Sequence, residues 1–337
     1  MQQVTKEKIM KIFFGDLKLR SPYFFIRTYI LKKHYPSRSK IKPMVIFLCN
    51  EVEARGGLCD RLRAMISVYK VCKKLGLKYK VGHFYPFDLS LYLKPNKVDW
   101  YIPEEYVDMN KHNVEIIGLP TLRNNITGLD GMGGFNLHMN YMTKYLKKAS
   151  KKGKQIHVYT NAEYLHPKEY NEYFHELFKP SEDLQRLVDW NLQKLGGKFV
   201  SVTTRFQNLM GDFYEGERYK PLDSEEEKQE YIKKCIDKVN EIHGRHPNMK
   251  ILVTSDSARF LEEVKKLQYV HVIPGKVVHL YFTTDSSYEV YLKSFVDLLT
   301  LSEAQKLYLI ATGRMYISGF TRVASFINNR PCENIIF

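Results

Sequence analysis

The sequence has no run of eighteen apolar residues, so it predicts no membrane-spanning helix. Its basic start is not followed by an uninterrupted apolar core, so no secretory signal is read there. The five cysteines (Cys49, Cys59, Cys72, Cys235, Cys332) are scattered, odd in number and never spaced C-x-x-C. That argues against a disulfide framework and a thiolate zinc site, and fits a reducing, cytoplasmic compartment. Asp-x-Asp is also missing, which leaves no metal clamp of that kind.

What is present is ordinary for a globular chain: 337 residues, 44% hydrophobic and 26% charged. Such a length buries about three quarters of its unfolded surface and accommodates two domains. The net charge of +15 is unevenly spread, because residues 1–43 carry eleven Lys and Arg against Glu7 and Asp16, a net of +9. That segment interleaves its cations with Ile9, Phe13, Phe14, Tyr23, Phe24, Phe25, Tyr29 and Ile30. Three readings are open: a peripheral contact with an anionic membrane, an arm packed on the body, or contact with single-stranded nucleic acid.

From residue 44 onward, strands and helices alternate. Met44–Cys49 reads as a buried strand, a helix begins near Leu58, Gly76 is its C-cap, and Lys78–Val81 starts another strand. Val114–Ile117 and Ile156–Tyr159 are further strands. The Gly/Asn/Met-rich stretch Asn124–Asn140 between them reads as a long loop, and Lys144–Lys154 as a solvated helix end. A helix at 181–195 closes the first half. A second series has strands at Phe199–Thr204, Ile251–Thr254, Val270–Ile273 and Leu307–Ala311. Its helices are Glu225–Ile242, Ala258–Leu267, Tyr288–Leu301 and Arg322–Ile327. The expected architecture is α/β, with two Rossmann-like domains (44–195 and 196–337) facing across a cleft behind the basic segment 1–43. Ligands of such sheets sit beyond the C-terminal ends of the strands.

Three loops fall there with suitable chemistry. In the first, Gly56-Gly57 separates the opening strand from a helix whose first turn contains Arg61 and Arg63. Glycines admit an anion to free N–H groups, and cations placed against the helix dipole point to something negative arriving. No Gly-Lys-Ser/Thr follows, and the loop lacks G-x-G-x-x-G, so it is neither a P-loop nor a dinucleotide fingerprint. In the second, Arg205 ends an otherwise uncharged strand, Ser201–Thr204, where a guanidinium can grip two phosphate oxygens. The third is Ser318-Gly319-Phe320-Thr321, at the start of the last helix. Thr254-Ser255-Asp256 ends a neighbouring strand and reads equally as an N-cap or as a contact for a nucleotide's base or ribose.

The first loop resembles the Gly-Gly-x-Gly-x-Arg-x-Arg loop of the GT-B-type fucosyltransferase superfamily, which holds alpha-1,6-fucosyltransferases and protein O-fucosyltransferases. Cys59 stands where that pattern has glycine. Residues 203–212 are similar to the family's His-x-Arg-Arg-Gly-Asp motif. Thr203 replaces the histidine, Phe206 the second arginine, and a Gly-Asp pair follows later, at Gly211-Asp212. Ser318–Thr321 resembles the family's Ser-x-Phe-Ser segment. The resemblance implies a donor diphosphate held by Arg205, Gly56, Gly57, Arg61, Arg63, Ser318, Phe320 and Thr321. It also implies base or ribose contacts from Thr254, Ser255 and Asp256.

The function implied is an inverting, metal-independent glycosyltransferase. It would use GDP-fucose or a related GDP-sugar as donor substrate and a glycan acceptor, in surface polysaccharide synthesis. Asp212, Glu215 and Glu217 follow Arg205 closely and Glu53 sits in the first-domain loop across the expected cleft; any of the four could serve as base, and the sequence does not choose among them. A non-catalytic nucleotide-sugar-binding protein would keep the same loops without needing a base. A nucleic-acid-binding protein would account for the charge, but no specific nucleic-acid motif is present.

Overall fold

A computed structural model describes residues 26–31, 43–50, 56–119, 132–161, 165–214, 220–275, 277–278 and 287–337. The chain forms two compact units, Met1–Lys179 and Pro180–Phe337. No helix among the described residues is long and apolar enough to cross a membrane.

The first unit is built on a four-stranded parallel sheet: β1 (Met44–Cys49), β2 (Lys78–His83), β4 (Val114–Leu119) and β5 (Gln155–Thr160), in the order β2-β1-β5-β4. All six residues of β1 are buried, as an unbroken apolar run must be when strands flank it and helices cover it. Helix α1 (Leu58–Leu75) follows β1 and ends at Gly76, whose φ of 64° is the left-handed cap expected there. Helix α2 (Met132–Ser150) and helix α3 (Pro167–Leu177) pack on α1. The expected loop at Asn124–Asn140 is therefore partly helix: α2 begins at Met132, and its Met142, Leu146 and Ala149 are buried at helical spacing. The short strands β3 (Leu93–Pro95) and β6 (Phe178–Pro180) pair with each other.

Tyr29 belongs to this core. It is 1% exposed, within a short π-helical segment, Arg27–Leu31. Its hydroxyl lies 2.8 Å from His157 Nδ1 and 2.6 Å from Tyr159 Oη. The part of the basic segment around Tyr29 is thus a packed arm, as one of the three readings held. The rest of residues 1–43 lies largely outside the described residues.

The second unit opens with α4 (Glu182–Leu195), which packs on α7 (Tyr288–Ser302) of the same unit. Its buried stripe of Leu184, Val188, Asn191 and Leu195 faces the second core, so the division falls at Lys179/Pro180 rather than after 195. The strands β7 (Phe199–Thr204), β8 (Lys250–Ser255), β9 (Val270–His271), β10 (Leu307–Ala311) and β11 (Cys332–Ile336) form a parallel sheet in the order β9-β8-β7-β10-β11. Helices α5 (Glu225–Arg245), α6 (Ala258–Val264) and α8 (Gly319–Ile327) complete the unit. This is the strand order of a Rossmann half-sheet, in which the winding reverses between the first strand and the fourth, here β7 and β10. Side chains beyond the C-terminal ends of those two strands occupy the switch point.

Candidate functional site

Four loop groups were expected to carry chemistry, and the structure sorts them differently. In the first unit, Gly56 has φ 72°, and a Cβ there would lie 2.7 Å from Asp60 Oδ2. The turn therefore requires glycine. Asp60 accepts the Gly57 N–H at 3.1 Å and pairs with Arg63, so the first turn of α1 supplies its own anion.

Arg61 turns inward and is 2% exposed. Its Nη1 reaches Cys49 Sγ at 3.2 Å, His83 Nε2 at 3.1 Å and the Tyr85 carbonyl at 3.0 Å, while Nε reaches the Gly56 carbonyl at 3.3 Å. Rather than extending into solvent to meet a ligand, this arginine ties the ends of β1 and β2 to the glycine turn. Its Nη2 is buried without a hydrogen-bond partner, and no carboxylate among the described residues pairs with it. His83 is pushed down to about 3 by burial and by the Arg61 charge, so it stays neutral and accepts from the guanidinium while donating to the Phe87 carbonyl at 2.9 Å. Glu53 lies outside the described residues.

In the second unit, the loop after β7 is held by Asp256. Its side chain is 1% exposed and lies 3.3 Å from Arg205 Nε through Oδ2. Its two oxygens accept the N–H groups of Phe206 at 2.8 Å and Gln207 at 2.7 Å. Burial pushes the Asp256 carboxyl up, while Arg205 and those N–H donors pull it back. Asp256 thus positions the arginine loop from beneath; its carboxylate is already engaged and does not wait for a nucleobase.

Thr254 and Ser255 are engaged too. Thr203 and Thr254 hydroxyls meet at 3.0 Å, and Thr204 donates to Ser255 at 2.8 Å, zipping the ends of β7 and β8 together. Thr203, at the place of the family's histidine, is therefore a buried strand pair. Ser257 caps α6 by accepting the Phe260 N–H at 3.2 Å.

Asp212 joins that cap. Its Oδ2 accepts from Ser257 Oγ at 2.9 Å and from the Arg259 N–H at 2.8 Å, and its Oδ1 is buried. Oδ2 is thus engaged in the cap of α6, while Oδ1 has no hydrogen-bond partner. Glu215 and Glu217 lie outside the described residues.

Arg205 remains at the switch point. Its side chain is 17% exposed, and the guanidinium stacks on the Phe213 ring at 4.8 Å from the centroid. The Arg205 carbonyl accepts the Tyr316 N–H at 3.0 Å, which brings the loop after β10 against the loop after β7. Tyr316 leads directly into α8, whose N-cap Ser318 accepts the Phe320 N–H at 3.1 Å. Thr321, in the first turn, is fully buried and its hydroxyl has no partner. The backbone of Arg205 thus meets the segment that leads into α8, beyond the strand ends where a Rossmann sheet binds phosphates.

Gln207, Phe213 and Tyr316 were not among the expected site residues. A signal existed for Gln207. Counting the His-x-Arg-Arg-Gly-Asp pattern from Arg205 places Gln207 at the glycine, and its φ of 56° is a glycine-like conformation.

No family model matches the sequence, and no curated protein does. Solved structures do. POFUT1 in complex with GDP is 11% identical, covering 87% of this chain and 97% of its own, with a TM-score of 0.50. The NodZ alpha-1,6-fucosyltransferase, known from Bradyrhizobium, is 12% identical when soaked with GDP-fucose, covering 84% of this chain and 92% of its own at a TM-score of 0.49. A mutant of FUT1 from Arabidopsis thaliana in complex with GDP is 10% identical over 98% of this chain and 78% of its own, at 0.49. The likeness to POFUT1 shows the fold: this chain has the α/β architecture of the GT-B-type fucosyltransferases.

Proposed function

We propose that this chain is a glycosyltransferase that transfers fucose from GDP-fucose to a glycan acceptor, with inversion and without a metal, in surface polysaccharide synthesis. The observation that carries the proposal is Arg205 at the β7/β10 switch point, backed by buried Asp256, its backbone meeting the segment that leads into α8.

In this reaction an acceptor oxygen attacks the anomeric carbon. The bond from that carbon to the β-phosphate oxygen breaks, and GDP leaves with the electron pair. Charge grows on the diphosphate, where the guanidinium and first-turn N–H groups of α8 lower the barrier. The acceptor proton passes to a carboxylate, for which Asp212, Glu53, Glu215 and Glu217 are the candidates. A cytoplasmic enzyme at the inner membrane face agrees with this reading.

The test is a thermal-shift panel followed by turnover. A ligand at a hundredfold excess over its dissociation constant stabilises the native state by about 2.7 kcal/mol. GDP and GDP-fucose are expected to raise the melting temperature, and UDP to leave it unchanged. A response to UDP alone overturns the donor assignment. Binding of GDP-fucose without transfer to any glycan would instead favour a non-catalytic nucleotide-sugar-binding protein.

A further inference from the structure

Gln207 carries two burdens that glycine would not. Its φ of 56° lies in the left-handed region, where a Cβ is crowded and where glutamine lacks the short polar group that eases Asn and Asp into it. It is only 3% exposed, yet its Nε2 has no hydrogen-bond partner. An amide nitrogen removed from water and left unpaired is destabilising. Backbone strain and an unsatisfied polar group on one residue mark a side chain whose purpose lies outside the folding of the loop.

Its place is informative. The Gln207 N–H donates to Asp256 Oδ2 at 2.7 Å, and the same oxygen lies 3.3 Å from Arg205 Nε. Gln207 and the guanidinium thus hang from one carboxylate oxygen at the C-terminal end of β7. The carboxylate behind them is saturated with N–H donors, so the amide finds its acceptor elsewhere.

We propose that Gln207 is a donor-binding residue whose Nε2 donates a hydrogen bond to an oxygen of the nucleoside diphosphate held by Arg205. This rests on the donor reading above and adds to it a residue at a position where the resembling motif has glycine. A second N–H donor beside a guanidinium suits an anionic oxygen.

The test uses the full chain, with GDP and inorganic diphosphate as probes, and two variants. Gln207→Gly relieves the backbone and removes the amide. Its unliganded melting temperature is expected to equal or exceed that of the wild type, while its affinity for both probes falls about tenfold or more, as for loss of a hydrogen bond to a charged group. Gln207→Glu keeps the size and replaces the donor with a carboxylate, so both affinities are expected to fall further.

Wild-type affinity in Gln207→Gly overturns the proposal. So does a Gln207→Gly variant that melts lower and still binds normally, since the amide would then be structural. If the glycine variant fails to fold, wild-type affinity in Gln207→Glu overturns the proposal and lost affinity supports it. A wild-type protein that answers neither probe removes the donor reading itself, a result distinct from unequal variants of a protein that binds.

Discussion

Arg205 Nε lies 3.3 Å from Asp256 Oδ2, and the same carboxylate accepts the N–H groups of the two residues that follow the arginine. One buried anion therefore neutralises the cation and shapes the loop that presents it. Asp256→Asn keeps the volume but leaves the guanidinium without its counter-charge and turns an amide NH₂ toward backbone donors. Breaking a buried charged pair from one side costs about 3 kcal/mol. We expect the urea midpoint to fall accordingly, with GDP affinity lost in parallel. If Asp256 instead read a nucleobase from a free position, the midpoint would be unchanged and only nucleotide preference would shift.

Tyr29 joins the basic N-terminal segment to the first sheet. Its O–H donates to His157 Nδ1, it accepts from Tyr159, and Asn50 Nδ2 donates to Tyr159 Oη at 3.2 Å. Tyr29→Phe leaves that chain short of one partner in a buried place, a loss of about 1–3 kcal/mol. Deleting residues 1–43 removes the ring as well and should abolish cooperative melting of the first unit. A truncated protein that melts like the full chain would show that the segment adds nothing to the core. Binding to anionic vesicles or to single-stranded nucleic acid would then be its role.

Much of this arrangement was legible in the residues. The continuous apolar runs of β1, β7 and β8, the glycine C-cap at Gly76, and an arginine ending an uncharged strand are local signals, and local signals survive folding. Other features were hidden for physical reasons. Gly133, Gly134 and Asn136 argue against a helix on propensity, yet the backbone there is helical and the following turns of α2 bury Met142 and Leu146 against the sheet. Edge strand β11 has no continuous apolar run because only alternate residues are covered. The inward turn of Arg61 could have been read, since it shares the 3–4 spacing of Leu58, Leu62 and Met65. The engagement of Asp212 and Asp256 depends on loops that meet only in the folded sheet.

Acid should destabilise the first unit through two histidines. Burial pushes His157 down to about 3, and burial with the Arg61 charge pushes His83 to about 3. Both have an ordinary value near 6.5 when unfolded. The unfolded chain then binds more protons, so stability is complete above about pH 6.5 and is lost as the pH falls toward 3. Each histidine contributes a slope of about 1.4 kcal/mol per pH unit once the unfolded state is protonated. Urea midpoints from pH 7 to pH 4.5 should show it. In His157→Gln one histidine's slope disappears, whatever the variant's baseline stability. An identical slope in the variant would mean that His157 is already solvated in the native protein. Comparing the two proteins cancels the carboxylates that titrate in both.

The guanidinium of Arg205 offers a geometry that an ammonium cannot. Arg205→Lys keeps a positive charge opposite Asp256, so the buried carboxylate remains compensated and the fold should lose only about 1 kcal/mol, the worth of an ordinary hydrogen bond. The planar fork is lost, and with it two parallel bonds to a departing diphosphate. By comparison with other donors aimed at developing negative charge, that loss costs roughly 2.7–4 kcal/mol in the transition state, about 10²–10³ in rate. GDP binding in the ground state should weaken less than turnover, because the charge that the fork meets is largest as the bond breaks. The measurement is therefore a pair, GDP affinity and single-turnover transfer on the same preparation. A rate lowered together with affinity by the same small factor would make Arg205 a binding residue only. Near-normal transfer by a folded lysine variant would remove Arg205 from the mechanism and leave the switch point without its cation.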